Sequence, residues 1–169
     1  MVVSREPKIV GLSLRLLDVL IATDGSFAEN LYVRAPGTAN GAYWCAENPA
    51  LQYGAMNGRT VILQAVRKLG EATQEITARN GLALAQIDLF VPHQANLNLL
   101  QALGKRLAVP LERMVINLDR YGNTSGASAF LALHQAYNER RLRAGAYVLV
   151  LAFGAGFTWG AALCQVEQH

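Results

Sequence analysis

Three short segments of the sequence contain residue types that could hold and stabilise a reacting carbonyl group. Residues 91–96 read Val-Pro-His-Gln-Ala-Asn, residues 120–125 read Arg-Tyr-Gly-Asn-Thr-Ser, and residues 153–160 contain three glycines. The imidazole of His93 and the side-chain amide of Asn123 can donate hydrogen bonds, and a glycine-rich turn lets backbone N–H groups approach a reacting oxygen. Each segment alone also fits a turn or a helix cap, so it is their combination that indicates chemistry.

The pattern of apolar residues places each of these segments directly after a predicted strand. Predicted strands cover residues 9–17, 87–91, 114–118, 147–153 and 157–163, and predicted helices cover residues 61–76 and 99–107. A third predicted helix is capped at Thr124 or Ser125 and holds Arg140 and Arg141 in its last turn. Helices that alternate with strands predict a largely parallel sheet with helices on its faces, and the last two strands are close enough for an antiparallel hairpin. Sites in such sheets lie beyond the carboxyl ends of the strands, so the three segments are expected to meet there.

In this order and at about these spacings, the three segments resemble the ketosynthase III family, the initiating 3-oxoacyl-carrier-protein synthases of the thiolase fold. The resemblance runs from about residue 24 to residue 163, and residues 56–59, Met-Asn-Gly-Arg, are similar to the family's Met-x-Gly segment. It implies an α/β fold: a thiolase-like half with a mixed, mostly parallel five-stranded sheet and helices on its faces.

The reaction that this resemblance implies is a decarboxylative condensation. A malonyl thioester loses carbon dioxide, and the N–H groups of His93 and Asn123, the implied catalytic residues, stabilise the enolate oxygen that results. The carbanion then attacks an acyl group held on a cysteine. Gly154, Gly156 and Phe157 would form the loop that positions this acyl-cysteine and its oxyanion.

The resemblance also implies substrates and partners. These are an acyl-CoA, a malonyl thioester, an acyl carrier protein, an N-terminal half of the same enzyme and a second copy in a homodimer. No cofactor, metal, nucleic acid or membrane is expected, because coenzyme A thioesters are substrates and His134 and His169 have no partners at ligand spacing. Asn98 stands where many members carry an arginine that docks the carrier protein. The candidate pantetheine or carrier-protein contacts are Met56, Gly58, Asn96, Lys105 and Arg106.

The nucleophilic cysteine of the family has no counterpart in these segments. In the family it lies in the N-terminal half, at a helix start, whereas Cys45 lies between turn residues and Cys164 at the end of the last predicted strand. We therefore expect residues 1–169 to be the C-terminal domain of a 3-oxoacyl-[acyl-carrier-protein] synthase III, with the nucleophile-bearing half absent. Residues 1–5 resemble the strand that closes that half. The full-length parent would be an acyltransferase, and the isolated chain is expected to be inactive.

The composition agrees with a folded chain that has an extensive core or interface. Hydrophobic residues make up 52% and charged residues 16% of the 169 residues, which excludes a disordered chain. The net charge of +3 is too small to indicate nucleic-acid binding. Residues 144–165 carry no charge, but their glycines favour two buried strands over a membrane-spanning helix. Two cysteines and a charged N-terminus make a cytoplasmic location the default expectation.

Other proteins of the same fold remain open as alternatives. The pairing of His93 with Asn123 favours the histidine–asparagine type over ketosynthases with two histidines. It is also compatible with a ketosynthase III-like acyltransferase of a polyketide pathway, a type III polyketide synthase, or a non-catalytic subunit that only assembles with a nucleophile-bearing half. A catalytic parent would carry the cysteine upstream, so the parent sequence distinguishes these alternatives.

Overall fold

Helices cover both faces of one mixed β-sheet in the computed structural model, which describes residues 11–34 and 49–169. Residues 1–5 and Cys45, on which two of the expectations fall, lie outside these ranges. The strands are β1 (Leu12–Thr23), β2 (Leu31–Val33), β3 (Gly54–Met56), β4 (Ile87–Pro92), β5 (Tyr147–Gly154) and β6 (Thr158–Gln168), and the helices are α1 (Gly58–Arg79), α2 (Leu97–Leu107), α3 (Leu118–Tyr121) and α4 (Ser128–Asn138).

The main sheet has the strand order β1-β6-β5-β4. β4 and β5 are parallel, with Val91 opposite Val150, whereas β5–β6 and β6–β1 are antiparallel. This confirms an α/β fold with a mixed sheet and the predicted hairpin of the last two strands. The expectation of a mostly parallel sheet was wrong for the described residues, because β1 pairs with the returning strand β6 and adds a second antiparallel ladder.

The predicted strand at residues 114–118 contributes only an isolated parallel bridge between Met114 and Phe90, so the sheet has four strands within the described ranges and not the expected five. The side chain of Gln94 explains why residues 114–118 do not form a strand. The amide of Gln94 donates to the Val115 carbonyl and accepts the Asn117 N–H, so these backbone groups are satisfied without a strand ladder.

The helices follow the apolar pattern of the sequence, with one correction. α1 buries Ala65, Leu69, Ala72 and Ile76 and ends before Asn80 and Gly81, as predicted. α1 and α2 pack on one face of the sheet, and α4 packs on the other through small residues. The correction concerns α4, which begins at Ser128 rather than at residue 124 or 125 and ends before Arg140. Positive φ angles of 54° at Ser125 and 55° at Arg140 lie outside helical geometry.

The edge strand β1 leaves a row of apolar side chains uncovered. Leu16, Val19 and Ile21 are exposed, with Ile21 at 74%, while the intervening Leu20 packs in the core. Exposed apolar rows of this kind are typical of surfaces that contact another protein segment. The uncharged residues 144–165 form β5 and most of β6, as predicted. No helix in the described ranges has the length and apolar character needed to cross a membrane.

Candidate active site

His93 lies directly beyond the carboxyl end of β4. Its backbone N–H donates to the Leu151 carbonyl of β5 at 2.6 Å, which extends the pairing of the two parallel strands past Pro92. The imidazole is half-buried, and its Nδ1 lies 2.5 Å from the Ser128 Oγ at the start of α4. Burial lowers the pKa of His93 below its ordinary value, and a weaker opposing effect comes from the nearby Ser125 carbonyl. Burial therefore favours the neutral form of the ring.

Asn123 lies in the turn that precedes α4. Gly122 has a φ of 62° and a ψ of −155°, a conformation that favours glycine and turns the chain towards the helix. The Asn123 Oδ1 accepts the Ser125 N–H at 2.9 Å. The Ser125 N–H can only donate, so the amide atom of Asn123 that faces it is the oxygen, and the Nδ2 group remains available as a donor. The side chain is exposed, so Nδ2 is accessible to a ligand.

The structure brings these two predicted residues to the same short segment. The ring of His93 lies near the Ser125 carbonyl, and Asn123 accepts a hydrogen bond from the Ser125 N–H. Ser128, which contacts the ring directly, follows Ser125 by three residues. The expected meeting of the two segments at the carboxyl ends of β4 and β5 is therefore observed, while the catalytic roles of His93 and Asn123 stay predictions.

The glycine-rich turn joins β5 to β6 at the same edge of the sheet. Gly154 and Gly156 are accessible, and Gly156 has a φ of 78°, which a glycine adopts without strain. Phe157 is fully buried and packs against Phe27 and Phe153, with ring centroids 5.1 and 4.8 Å away. Its side chain therefore anchors the turn in the core, and only its backbone is available for the predicted loop function.

Gln94 follows His93 in the first segment, and its side chain connects two parts of the site. It is fully buried, and its Nε2 donates to the Pro92 and Val115 carbonyls at 2.8 and 2.9 Å. Its Oε1 accepts the Asn117 N–H at 3.0 Å. These bonds tie the turn that carries His93 to the chain segment that leads into Asn123, so Gln94 holds the two parts of the site together.

The predicted substrate contacts are spread along the surface. Met56 is 63% exposed at the end of β3, and Gly58 begins α1 beside it. Asn96 is the N-cap of α2, because its Oδ1 accepts the Leu99 N–H at 2.9 Å. Its side-chain oxygen therefore has a structural partner, and a substrate contact by its Nδ2 stays a prediction.

Lys105 and Arg106 are exposed in the last turn of α2. At 1.5 Å per residue, Lys105 lies about 12 Å along the axis from the helix start next to His93. The side chain of Arg106 lies against Gly70 of α1, where a Cβ atom would collide with it. Lys105 makes no ion pair with any residue in the described ranges, so it is the more adaptable charge of the two.

Cys164 lies inside the sheet and not at this edge. β6 continues to Gln168, so Cys164 is in the middle of the strand, opposite Val148 of β5, and not at its end as predicted. The side chain is buried, and burial raises the pKa of its thiol. Its position agrees with the expectation that Cys164 is not the nucleophile of the family. Among the described residues, no group of three His, Cys, Asp or Glu side chains could hold a metal ion.

The chain is similar in structure to solved 3-oxoacyl-[acyl-carrier-protein] synthases III. The chain superposes on a 3-oxoacyl-[acyl-carrier-protein] synthase III from Aquifex aeolicus VF5 with a TM-score of 0.77 and 32% identity, covering 95% of this chain and 46% of that one. It superposes on the beta-ketoacyl-[acyl-carrier-protein] synthase III of Thermus thermophilus with a TM-score of 0.76 and 41% identity, covering 90% of this chain and 46% of that one. The thiolase-like architecture predicted from the sequence is thereby confirmed.

Sequence comparison gives the family. The sequence profile of the 3-oxoacyl-[acyl-carrier-protein] synthase III C-terminal family matches residues 77–166, and the chain belongs to this family. A beta-ketoacyl-[acyl-carrier-protein] synthase III from Roseiflexus sp. (strain RS-1) is 43% identical over 150 residues, which are 89% of this chain and 46% of the relative. The chain thus spans about half the length of the curated relatives it matches.

Proposed function

We propose that this chain is the decarboxylating half of a 3-oxoacyl-[acyl-carrier-protein] synthase III that acts in fatty acid biosynthesis. One observation carries the proposal: the half-buried imidazole of His93, whose pKa is lowered by burial, and the amide donor of Asn123 flank the same short segment, at the strand ends where the glycine-rich turn also lies. Two donors without charge suit an oxygen that becomes negative only during the reaction.

The proposed first step is the decarboxylation of a malonyl thioester. The bond between its α-carbon and its carboxylate breaks, carbon dioxide leaves, and the electron pair moves to the thioester oxygen as an enolate. Hydrogen bonds from His93 and Asn123 stabilise this negative charge. No cofactor is needed, because the C–C bond that breaks leaves its electron pair on the thioester, and coenzyme A thioesters enter only as substrates.

The proposed second step is a condensation on a cysteine of the N-terminal half. The α-carbon of the enolate attacks the acyl carbonyl, the acyl C–S bond breaks, and the cysteine thiolate leaves. Backbone N–H groups of the turn at Gly154 and Gly156 would stabilise the oxyanion of this step. The exposed row on β1, Leu16, Val19 and Ile21, supports contact with a further protein segment. A homodimer completes the proposal and rests on the family resemblance, and the proposed cytoplasmic location rests on the small number of cysteines.

Lys105 is the proposed contact for an acidic carrier protein. We expect Lys105→Glu, in a complete ketosynthase with this C-terminal half, to weaken carrier binding by about tenfold at low salt and less at high salt, since exposed charges act mainly by screened attraction. The measurement is the KM for the malonyl-carrier substrate at two salt concentrations. Arg143→Glu, an exposed charge reversal beyond α4, is the matched control. Equal effects of the two variants would contradict a docking role for Lys105.

The experiment that tests the function uses the same complete ketosynthase. Incubation with a malonyl-carrier thioester labelled in its free carboxyl group, together with an acyl-CoA, should release labelled carbon dioxide and form one 3-oxoacyl-carrier product per carbon dioxide. Release of neither product would favour the non-catalytic subunit. Formation of a product from coenzyme A thioesters alone, with no use of the carrier thioester, would favour the polyketide-pathway alternative.

A further inference from the structure

Ser128 has a hydroxyl group that joins the two segments of the site. It is the first residue of α4 and only 1% exposed. Within the described part of the chain its Oγ has two hydrogen-bond partners: the Nδ1 of His93 at 2.5 Å and the backbone N–H of Gln94 at 3.1 Å. The position was not singled out from the sequence, where it is one small residue in a run of small residues.

The direction of the two hydrogen bonds follows from counting protons. The Gln94 N–H can only donate, so the Ser128 Oγ accepts that bond. The hydroxyl proton of Ser128 is buried and needs an acceptor of its own. The Nδ1 of His93 is the acceptor within reach, and it can accept only if it carries no proton. The proton of the neutral ring is then on Nε2.

We propose that Ser128 is a positioning residue that holds His93 as the neutral tautomer with its proton on Nε2, and so aims that N–H at the thioester oxygen. The inference deepens the proposed function and rests on it for the identity of the oxygen. The tautomer itself rests only on the contacts of Ser128.

A backbone carbonyl near the His93 ring makes the Ser128 hydroxyl important for the position of the ring proton. The Ser125 carbonyl, which accepts the backbone N–H of Ser128, also lies near the imidazole of His93. Without the hydroxyl, Nδ1 loses the donor that keeps it unprotonated, so the ring proton could move to Nδ1. Nε2 would then be an acceptor, and it would repel the developing enolate oxygen instead of stabilising it. We therefore expect removal of the hydroxyl to change which nitrogen carries the proton.

The direct test is nuclear magnetic resonance of the 169-residue chain labelled with ¹⁵N-histidine at neutral pH. The three histidines are few enough to assign with His134→Gln and His169→Gln variants. We expect a one-bond N–H coupling on Nε2 of His93 and none on Nδ1. A proton on Nδ1 in the unsubstituted chain overturns the proposal, and this measurement needs no variant of Ser128 to fold.

Substitutions of Ser128 test whether its hydroxyl determines which nitrogen of His93 carries the proton. Ser128→Ala should move the proton to Nδ1 and lower the kcat for malonyl decarboxylation in the complete ketosynthase by about tenfold or more, with little change in KM, because one oxyanion donor is lost. Ser128→Thr keeps the hydroxyl and should keep both the tautomer and most of the rate. An unchanged tautomer in Ser128→Ala overturns the proposal. A complete enzyme that never decarboxylates malonyl thioesters refutes the proposed function instead, whatever the tautomer.

Discussion

Replacing Asn123 with alanine should lower the rate of malonyl decarboxylation about 10²- to 10³-fold in a complete ketosynthase that contains this chain. The substitution removes the Nδ2 donor while the Gly122 turn and the rest of the segment remain. Loss of one donor to an oxyanion in a preorganised site raises the barrier by roughly 3–4 kcal/mol. The measurement is carbon dioxide release from a malonyl thioester under single-turnover conditions, which separates this step from acyl transfer.

The control for this substitution is Asn138→Ala, which removes an exposed side-chain amide at the end of α4 that hydrogen-bonds with His134. Its decarboxylation rate should match that of the unsubstituted enzyme. Formation of the acyl-enzyme should also survive in Asn123→Ala, because the proposed nucleophile lies in the other half. Equal decarboxylation rates for Asn123→Ala and Asn138→Ala would remove the assigned role of Asn123.

The placement of the site could be predicted from the sequence because it depends on local patterns. Continuous apolar runs predict β4 and β5, and the residues that could do chemistry follow each run immediately. Because the two strands are parallel, their carboxyl ends lie at one edge of the sheet, and the site is expected there. The stop of α1 at Asn80 and Gly81 was predictable for the same reason, since the φ of 68° at Gly81 suits glycine.

The internal bonding of the site could not be predicted because it joins residues far apart in sequence. The amide of Gln94 reaches Asn117, 23 residues away, and the hydroxyl of Ser128 reaches His93, 35 residues away. Neither contact leaves a periodic signal. The apolar residues 114–118 were predicted as a strand on composition, but Gln94 takes their backbone hydrogen bonds, a competition that is visible only after the chain has folded.

The 169-residue chain alone should form no acyl-enzyme with a radiolabelled or mass-tagged acyl-CoA. A thiol attacks a thioester as the thiolate, and burial of Cys164 within the sheet both blocks access and raises the pKa of its thiol. Cys45 lies outside the described residues, and the sequence around it does not resemble the cysteine segment of the family. Intact-mass spectrometry should therefore show the unmodified chain after incubation, whereas a complete ketosynthase should gain one acyl group.

Two controls make the absence of labelling informative. A small alkylating reagent should modify Cys164 slowly in the folded chain and rapidly after denaturation, which shows that the sheet protects the thiol. Adding the nucleophile-bearing half of a relative should restore labelling on that half and leave this chain unmodified. Stoichiometric acylation of Cys45 or Cys164 would contradict the prediction, because this chain would then supply its own nucleophile. Condensation of the enolate formed at His93 and Asn123 would then not require an acyl group on a second half.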